Sequence, residues 1–183
     1  MKRILAFLFI ASFSIFSNFS FGQQGSVAQM PIDKDTGLIT YQEVVQESGT
    51  ADDLYIRCNE WINVNYKNPA DVCRVRNRES GVIEILHRIE LINMEGDSKL
   101  VAGIVNYLLK LEFKNGRYRY TITDLTLRQS SRFPIERWFD KTDKMYSPLW
   151  DSYLVQVDTK VKELIESLKA GMAPVVVAPE EKW

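Results

Sequence analysis

The longest regular pattern in the chain is an alternation with a period of two. Val105, Tyr107, Leu109, Leu111 and Phe113 are apolar, and the even positions Asn106, Lys110 and Glu112 between them are polar. That is the period of a strand with one buried face. Asn115-Gly116 follows, and Tyr118, Tyr120 and Ile122 then resume the alternation. An Asn-Gly pair between two such runs predicts a two-residue hairpin of type I′, with positive φ at both central positions. The register that results sets Phe113 opposite Tyr118, Leu111 opposite Tyr120 and Leu109 opposite Ile122 on one face, and Glu112 opposite Arg119 on the other.

The same reading extends outward from this hairpin. Leu38 to Val45, rich in β-branched and aromatic residues, predicts a strand. Thr50 is an N-cap with Asp52 and Asp53 in the first helical turn, and Leu54, Cys58, Trp61 and Ile62 share one face of a helix reaching Tyr66 before Asn68-Pro69 ends it. Strands follow at Val72 to Asn77 and at Val82 to Ile92, and a loop through Gly96 and Asp97 leads into the strand from Val101 to Phe113. Ser147-Pro148 starts the last helix, in which Leu149, Tyr153, Val157, Val161, Leu164 and Leu168 form an apolar stripe, and Gly171 closes it. The order β-α-β-β-β-β-α predicts an α+β two-layer sandwich, an antiparallel sheet of about five strands with two helices on one face. The other face carries Asn106, Lys110, Glu112, Arg117, Arg119, Thr121 and Thr123.

The N-terminus has a different pattern. Lys2 and Arg3 precede an apolar run from Ile4 to Phe16, and small residues surround Ser20-Phe21-Gly22. This is the anatomy of a secretory signal peptide over residues 1–22, cleaved after Gly22, and the run is too short to span a bilayer as an anchor. The chain then divides into a polar lead-in at 23–36, the α+β domain at 37–171 and a tail at 172–183 with a short strand at Val175 to Val177. An exported protein, periplasmic or extracellular, with no stable membrane insertion after signal cleavage, is the expectation.

Charge narrows the partners. Without Lys2 and Arg3, the 23 Lys and Arg fall to 21 against 24 Asp and Glu, and the two signs are interspersed. A chain that neutralised phosphates would carry a basic block, so nucleic acid is not an expected partner. Cys58 and Cys73 point at the same layer in this reading. In an oxidising compartment they are a candidate disulfide, and two buried thiols packed as hydrophobes are the alternative.

Candidate chemistry is sparse. GxSxG, HExxH, CxxC and Gly-rich phosphate loops do not occur. Asp33 and Asp35 alternate like the start of a calcium loop, but the twelfth position is Val44 where a bidentate Glu is required. The single histidine, His87, falls in phase with Ile85 and Ile89, which reads as a hydrogen-bonded residue at the margin of the core. No metal site, no cofactor and no catalytic residue is predicted. The connection from Ser130 to Tyr146 is rich in aromatic rings, and Phe133, Trp138, Phe139, Tyr146 and Trp150 are the candidate binding surface, with Arg117 and Arg119 of the polar sheet face as further candidates. The alternative is that these rings close the open end of the core.

Four segments, LITYQEVV, LYIRCNEWI with Tyr55 and Trp61, VNYLLKLEFKNGRYRYTITDL and the closing LIESLKAGM, resemble an uncharacterised bacterial family. That family is a domain of unknown function with a TATA-binding-protein-like (TBP-like) fold, found in exported proteins. The likeness covers Met30 to Met172, and Lys114 to Asp124 is its most specific piece. It implies a single TBP-like half-saddle and implies no activity. A DNA-binding saddle needs basic residues on its concave sheet, whereas Lys110, Arg117 and Arg119 are offset here by Glu84, Glu90 and Glu112. The expectation for function is therefore a non-catalytic envelope module that binds a protein, peptide or glycan, or has a structural role. The alternative is a hydrolase of envelope polymers working through paired carboxylates.

Overall fold

The structure, a computed structural model, describes residues 28–95 and 98–174. The predicted signal peptide, the cleavage point and the strand at Val175 to Val177 lie outside the described residues. The elements run β1 (Tyr41–Gln46), α1 (Ala51–Asn65), a single-turn α2 (Pro69–Val72), β2 (Cys73–Asn77), β3 (Val82–Glu95), β4 (Ser98–Lys114), β5 (Arg117–Leu127), β6 (Phe133–Pro134), a 3-10 turn (Ile135–Phe139) and α3 (Leu149–Met172). They build one antiparallel sheet in the order β1-β5-β4-β3-β2, with the two-residue β6 attached to β5. Its alternate side chains, among them Ile83, Ile85, Leu109, Leu111, Tyr118 and Ile122, form one core with Leu54, Cys58, Trp61 and Ile62 of α1 and Leu154, Val157, Val161 and Leu168 of α3.

The central hairpin has the register that the alternation predicts, including Phe113 with Tyr118 and Glu112 with Arg119. Its turn does not have the predicted conformation. Gly116 has φ +75°, whereas Asn115 is not among the residues with positive φ, so only one of the two positions is left-handed. The reason is tertiary. The Asn115 Oδ1 accepts the N–H of Ala51 at 2.9 Å, the Gly116 N–H donates to the Gly49 carbonyl at 2.9 Å, and the Glu47 N–H donates to the Gly116 carbonyl at 3.0 Å. Three otherwise orphaned groups around the start of α1 are satisfied by the turn, and those bonds select its geometry. Thr50 is the N-cap that the sequence predicts, and Asp53 completes the cap as its reciprocal partner.

Three other expectations shift. The first strand starts at Tyr41 because Ile39 instead bridges Ile32 in the lead-in. β3 extends to Glu95 and β4 starts at Ser98, beyond the bounds expected for both strands. β5 reaches only Val105 through its partner Leu127, and among the described residues β4 from Ser98 to Gly103 is therefore paired on the β3 side alone. A bulge between Cys73 and Val75 pairs Cys73 with Ile85 and Val75 with Glu84, which puts the two on opposite faces rather than in phase.

The last helix starts at Leu149 with Pro148 rather than Ser147 at its N-cap, because Pro148 already has helical φ −56° and ψ −22°, and the Trp150 N–H donates to the Ser147 carbonyl at 3.0 Å. Its buried stripe is rotated from the predicted one, starting at Trp150 while Leu149 stays half exposed, because the larger indole packs against Phe133, Trp138 and Tyr146. Gly171 does not end the helix, which continues to Met172. It is instead the point of closest approach to α1: a Cβ there would lie 2.5 Å from Cδ1 and 3.0 Å from Cβ of Trp61. Glycine at this position serves close packing of two antiparallel helices.

Candidate functional site

Alternation along β1, β3, β4 and β5 divides the sheet into two faces. α1 and α3 cover one of them, and no described element covers the other. The uncovered face bears Val44 of β1, Arg117 and Arg119 of β5, Lys110, Glu112 and Lys114 of β4, and Glu84, Leu86, Arg88 and Glu90 of β3. Val44 is 49% and Leu86 38% exposed, and Val82, Ile104 and Leu108 lie half-buried on the same face, so the polar field contains apolar points. Glu112 is shared, bonded by the Arg119 Nε at 2.8 Å and approached by the Lys110 Nζ at 3.7 Å. Lys114 and Arg117 have no carboxylate within 4.0 Å among the described residues, and they line a shallow concavity of about 280 Å³ with Val44 and Arg119.

Two of the residues singled out by sequence, Arg117 and Arg119, are therefore on this open face. The aromatic candidates are not. Trp138 is 1%, Phe133 3% and Trp150 8% exposed, and Phe139 and Tyr146 pack half-buried against the core. Trp138 stacks at a tilt on Trp150 and Tyr153 with ring centroids 6.2 and 5.9 Å apart, and Tyr146 meets Trp150 edge-on at 5.7 Å. These rings cap the end of the helix-sheet core, the alternative weighed for them, and offer a partner little surface. The Glu136 carboxylate fixes the connection by accepting the Ile39 N–H at 2.8 Å.

His87 sits at the margin of the core, between the rings of Tyr66 at 4.9 Å and Tyr107 at 6.2 Å. Its Nδ1 accepts the Arg88 N–H at 2.7 Å, which leaves the ring proton on Nε2. Burial, and then the charge of Arg88, hold its pKa below the ordinary 6.5. Cys58 is buried and Cys73 partly buried, both as free thiols, and burial followed by the neighbouring Cys73 pushes the Cys58 thiol far up, away from nucleophilic use.

The carboxylates whose pKa moves all move down: Asp33 by its bonds to Thr36, Glu43 by Lys169 and Tyr120, Asp52 by Arg78, Asp53 by Thr50, Asp140 by Thr142 and Asp143 by Met145 and Arg137. A general acid working near neutral pH needs the opposite shift. No three His, Cys, Asp or Glu side chains among the described residues gather as metal ligands. No described helix is long and apolar enough to cross a membrane.

Comparison with known proteins agrees with this architecture. Residues 41–128, β1 through the end of β5, match the model of a family described as "Domain of unknown function (DUF4468) with TBP-like fold". The family resemblance read from the sequence is thus found over the segment that builds most of the sheet. A crystal structure of a TBP-like protein from Parabacteroides distasonis ATCC 8503 superposes with a TM-score of 0.61 at 14% identity, covering 78% of this chain and 96% of that one. A DUF4468 family protein from Bacteroides ovatus ATCC 8483 gives 0.62 at 14% identity, covering 81% and 94%. At that identity the likeness speaks for the fold, which is TBP-like. No curated protein matches the chain.

Proposed function

We propose that this chain, with its TBP-like sheet, is an exported, non-catalytic binding module that holds an envelope protein or peptide partner on the open face of the sheet. The observation that carries the reading is the uncovered face itself, where exposed Val44 and Leu86 stand among cations that outnumber the acids. An antiparallel sheet commonly leaves one face to solvent, and here Leu86 with its cross-strand partner Leu108 gives that face an apolar contact point for a partner. The excess of Arg88, Lys110, Lys114, Arg117 and Arg119 over Glu84, Glu90 and Glu112 favours an acidic partner surface. Export rests on the pattern of residues 1–22. A hydrolase working through paired carboxylates finds no raised carboxylate among the described residues to serve as its acid.

The test is crosslinking in the native envelope with identification of captured partners, using the unchanged chain beside a Val44→Glu, Arg117→Glu, Arg119→Glu variant. A partner captured by the first and lost by the second supports the reading. Equal capture by both moves the site off this face.

A further inference from the structure

A second concavity opens where the sheet edge changes partners. β2 pairs with β3 only as far as Cys73 with Ile85, and the chain upstream turns away into α2, while β3 runs on to Glu95. The notch between them encloses about 360 Å³. That lies within the range of small-ligand sites and is too small for a folded partner.

Its lining is lopsided in charge. Lys67 comes from the link between α1 and α2, Arg74 from the bulge in β2 and Arg88 from β3, and the only acid beside them is Asp71. None of the three cations has a carboxylate within 4.0 Å among the described residues, although Arg57, Arg78, Arg132, Arg137 and Lys162 elsewhere all do. Three cations therefore converge on one hollow whose lining holds a single acid, Asp71, and this excess of positive charge favours entry of an anion. The remaining polar lining adds donors. Asn68 contributes an amide, and His87, with Nδ1 engaged by the Arg88 N–H, has its proton on Nε2. Two guanidinium forks, an ammonium and these neutral donors match the several oxygens of a phosphate or of a compact polycarboxylate better than they match a neutral ligand.

We propose that the notch between α2 and the free edge of β3 binds a small multivalent oxyanion, held by Lys67, Arg74 and Arg88. The notch borders the open face and shares Leu86 and Arg88 with it, whereas Lys67 and Arg74 lie outside that face, so small-anion binding is tested independently of a protein partner. Its source is either a phosphoryl compound or a di- or tricarboxylate, and the experiment separates the two.

Amide NMR shifts of the purified chain are followed while pyrophosphate is added in one arm, citrate in a second, and acetate at matched ionic strength in a third. The expected result is saturable shifts at Asn68, Val72 and Leu86 to Arg88 with pyrophosphate, citrate or both, and none with acetate. The arm that saturates identifies the phosphoryl or carboxylate source. Arg74→Gln with Arg88→Gln, both at exposed positions, should weaken binding about tenfold or more, while Lys114→Gln with Arg117→Gln on the open face should leave it unchanged. Absence of saturable shifts, equal shifts with acetate, or undiminished binding in the Arg74, Arg88 variant would overturn the proposal.

Discussion

The two faces of β5 are made from one run of residues and have little else in common. Tyr118, Tyr120 and Ile122 are buried beneath the helices, whereas Arg117 and Arg119 stand in solvent on the other side of the same strand. On the buried side each side chain is constrained by many neighbours, so its volume and shape matter. On the open side the sheet is equally regular, yet its side chains make exposed ion pairs such as Arg119 with Glu112 and exposed hydrogen bonds such as Gln42 with Thr121, which contribute little to stability. One face specifies the fold and the other is free to be shaped for something else.

The sharpest way to break that division is at Trp138, an aromatic residue of the connection that sits on the core side. Trp138→Ala should cost about 3–5 kcal/mol of stability, read as a fall in the urea midpoint, whereas Arg119→Ala should stay within about 1 kcal/mol. Comparable small losses for both would mean that the connection is not part of the core. Next comes the helix pair. Gly171→Ala improves helix propensity but drives a methyl into Trp61, whose Cβ and Cγ cannot retreat, and a net loss of about 1–3 kcal/mol is expected. Combining it with Trp61→Leu should recover part of the loss; an unaltered or greater loss would show that the approach is not what the glycine serves. A smaller effect is expected at the turn. Asn115→Ala removes the acceptor for the Ala51 N–H and should cost about 1 kcal/mol, with unchanged stability indicating that water replaces it.

The smallest effect lies at His87 and depends on pH. Its folded pKa is below the unfolded 6.5, so the unfolded chain binds more protons in that interval. Stability should therefore fall as pH is lowered from about 6.5 toward the folded pKa, and His87→Phe should flatten that slope in denaturation measured across pH 7 to 5. A slope identical in the variant would assign it to other groups.

What could be read from the sequence follows the same division. The register of the central hairpin was legible because alternation and a two-residue turn together leave one solution, and the N-cap at Thr50 was legible because it is local. The φ of Asn115 was not, since it is decided by hydrogen bonds to α1 and to the end of β1, far off in sequence. The rings of Phe133, Trp138 and Tyr146 lie in a segment without periodicity, and such a segment has the same composition whether it folds inward or outward. Only the structure places them inward. The open face was legible through Arg117 and Arg119, but the notch was not. Lys67, Arg74 and Arg88 form no motif, and they meet only because β2 stops at Cys73 and its bulge turns Arg74 aside.

Among the described residues, the stretch of β4 from Ser98 to Gly103 has a neighbour on one side only. A two-stranded ribbon is marginal by itself in water, whereas Leu109 to Phe113 are flanked by strands on both sides and covered by helices. Backbone amides of the ribbon should therefore exchange with deuterium through small local openings, at rates insensitive to denaturant, while those of the central hairpin wait for the whole domain to open. The molecule would then carry a built-in gradient of lifetimes along a single strand, from seconds-scale opening at one end to the lifetime of the fold at the other.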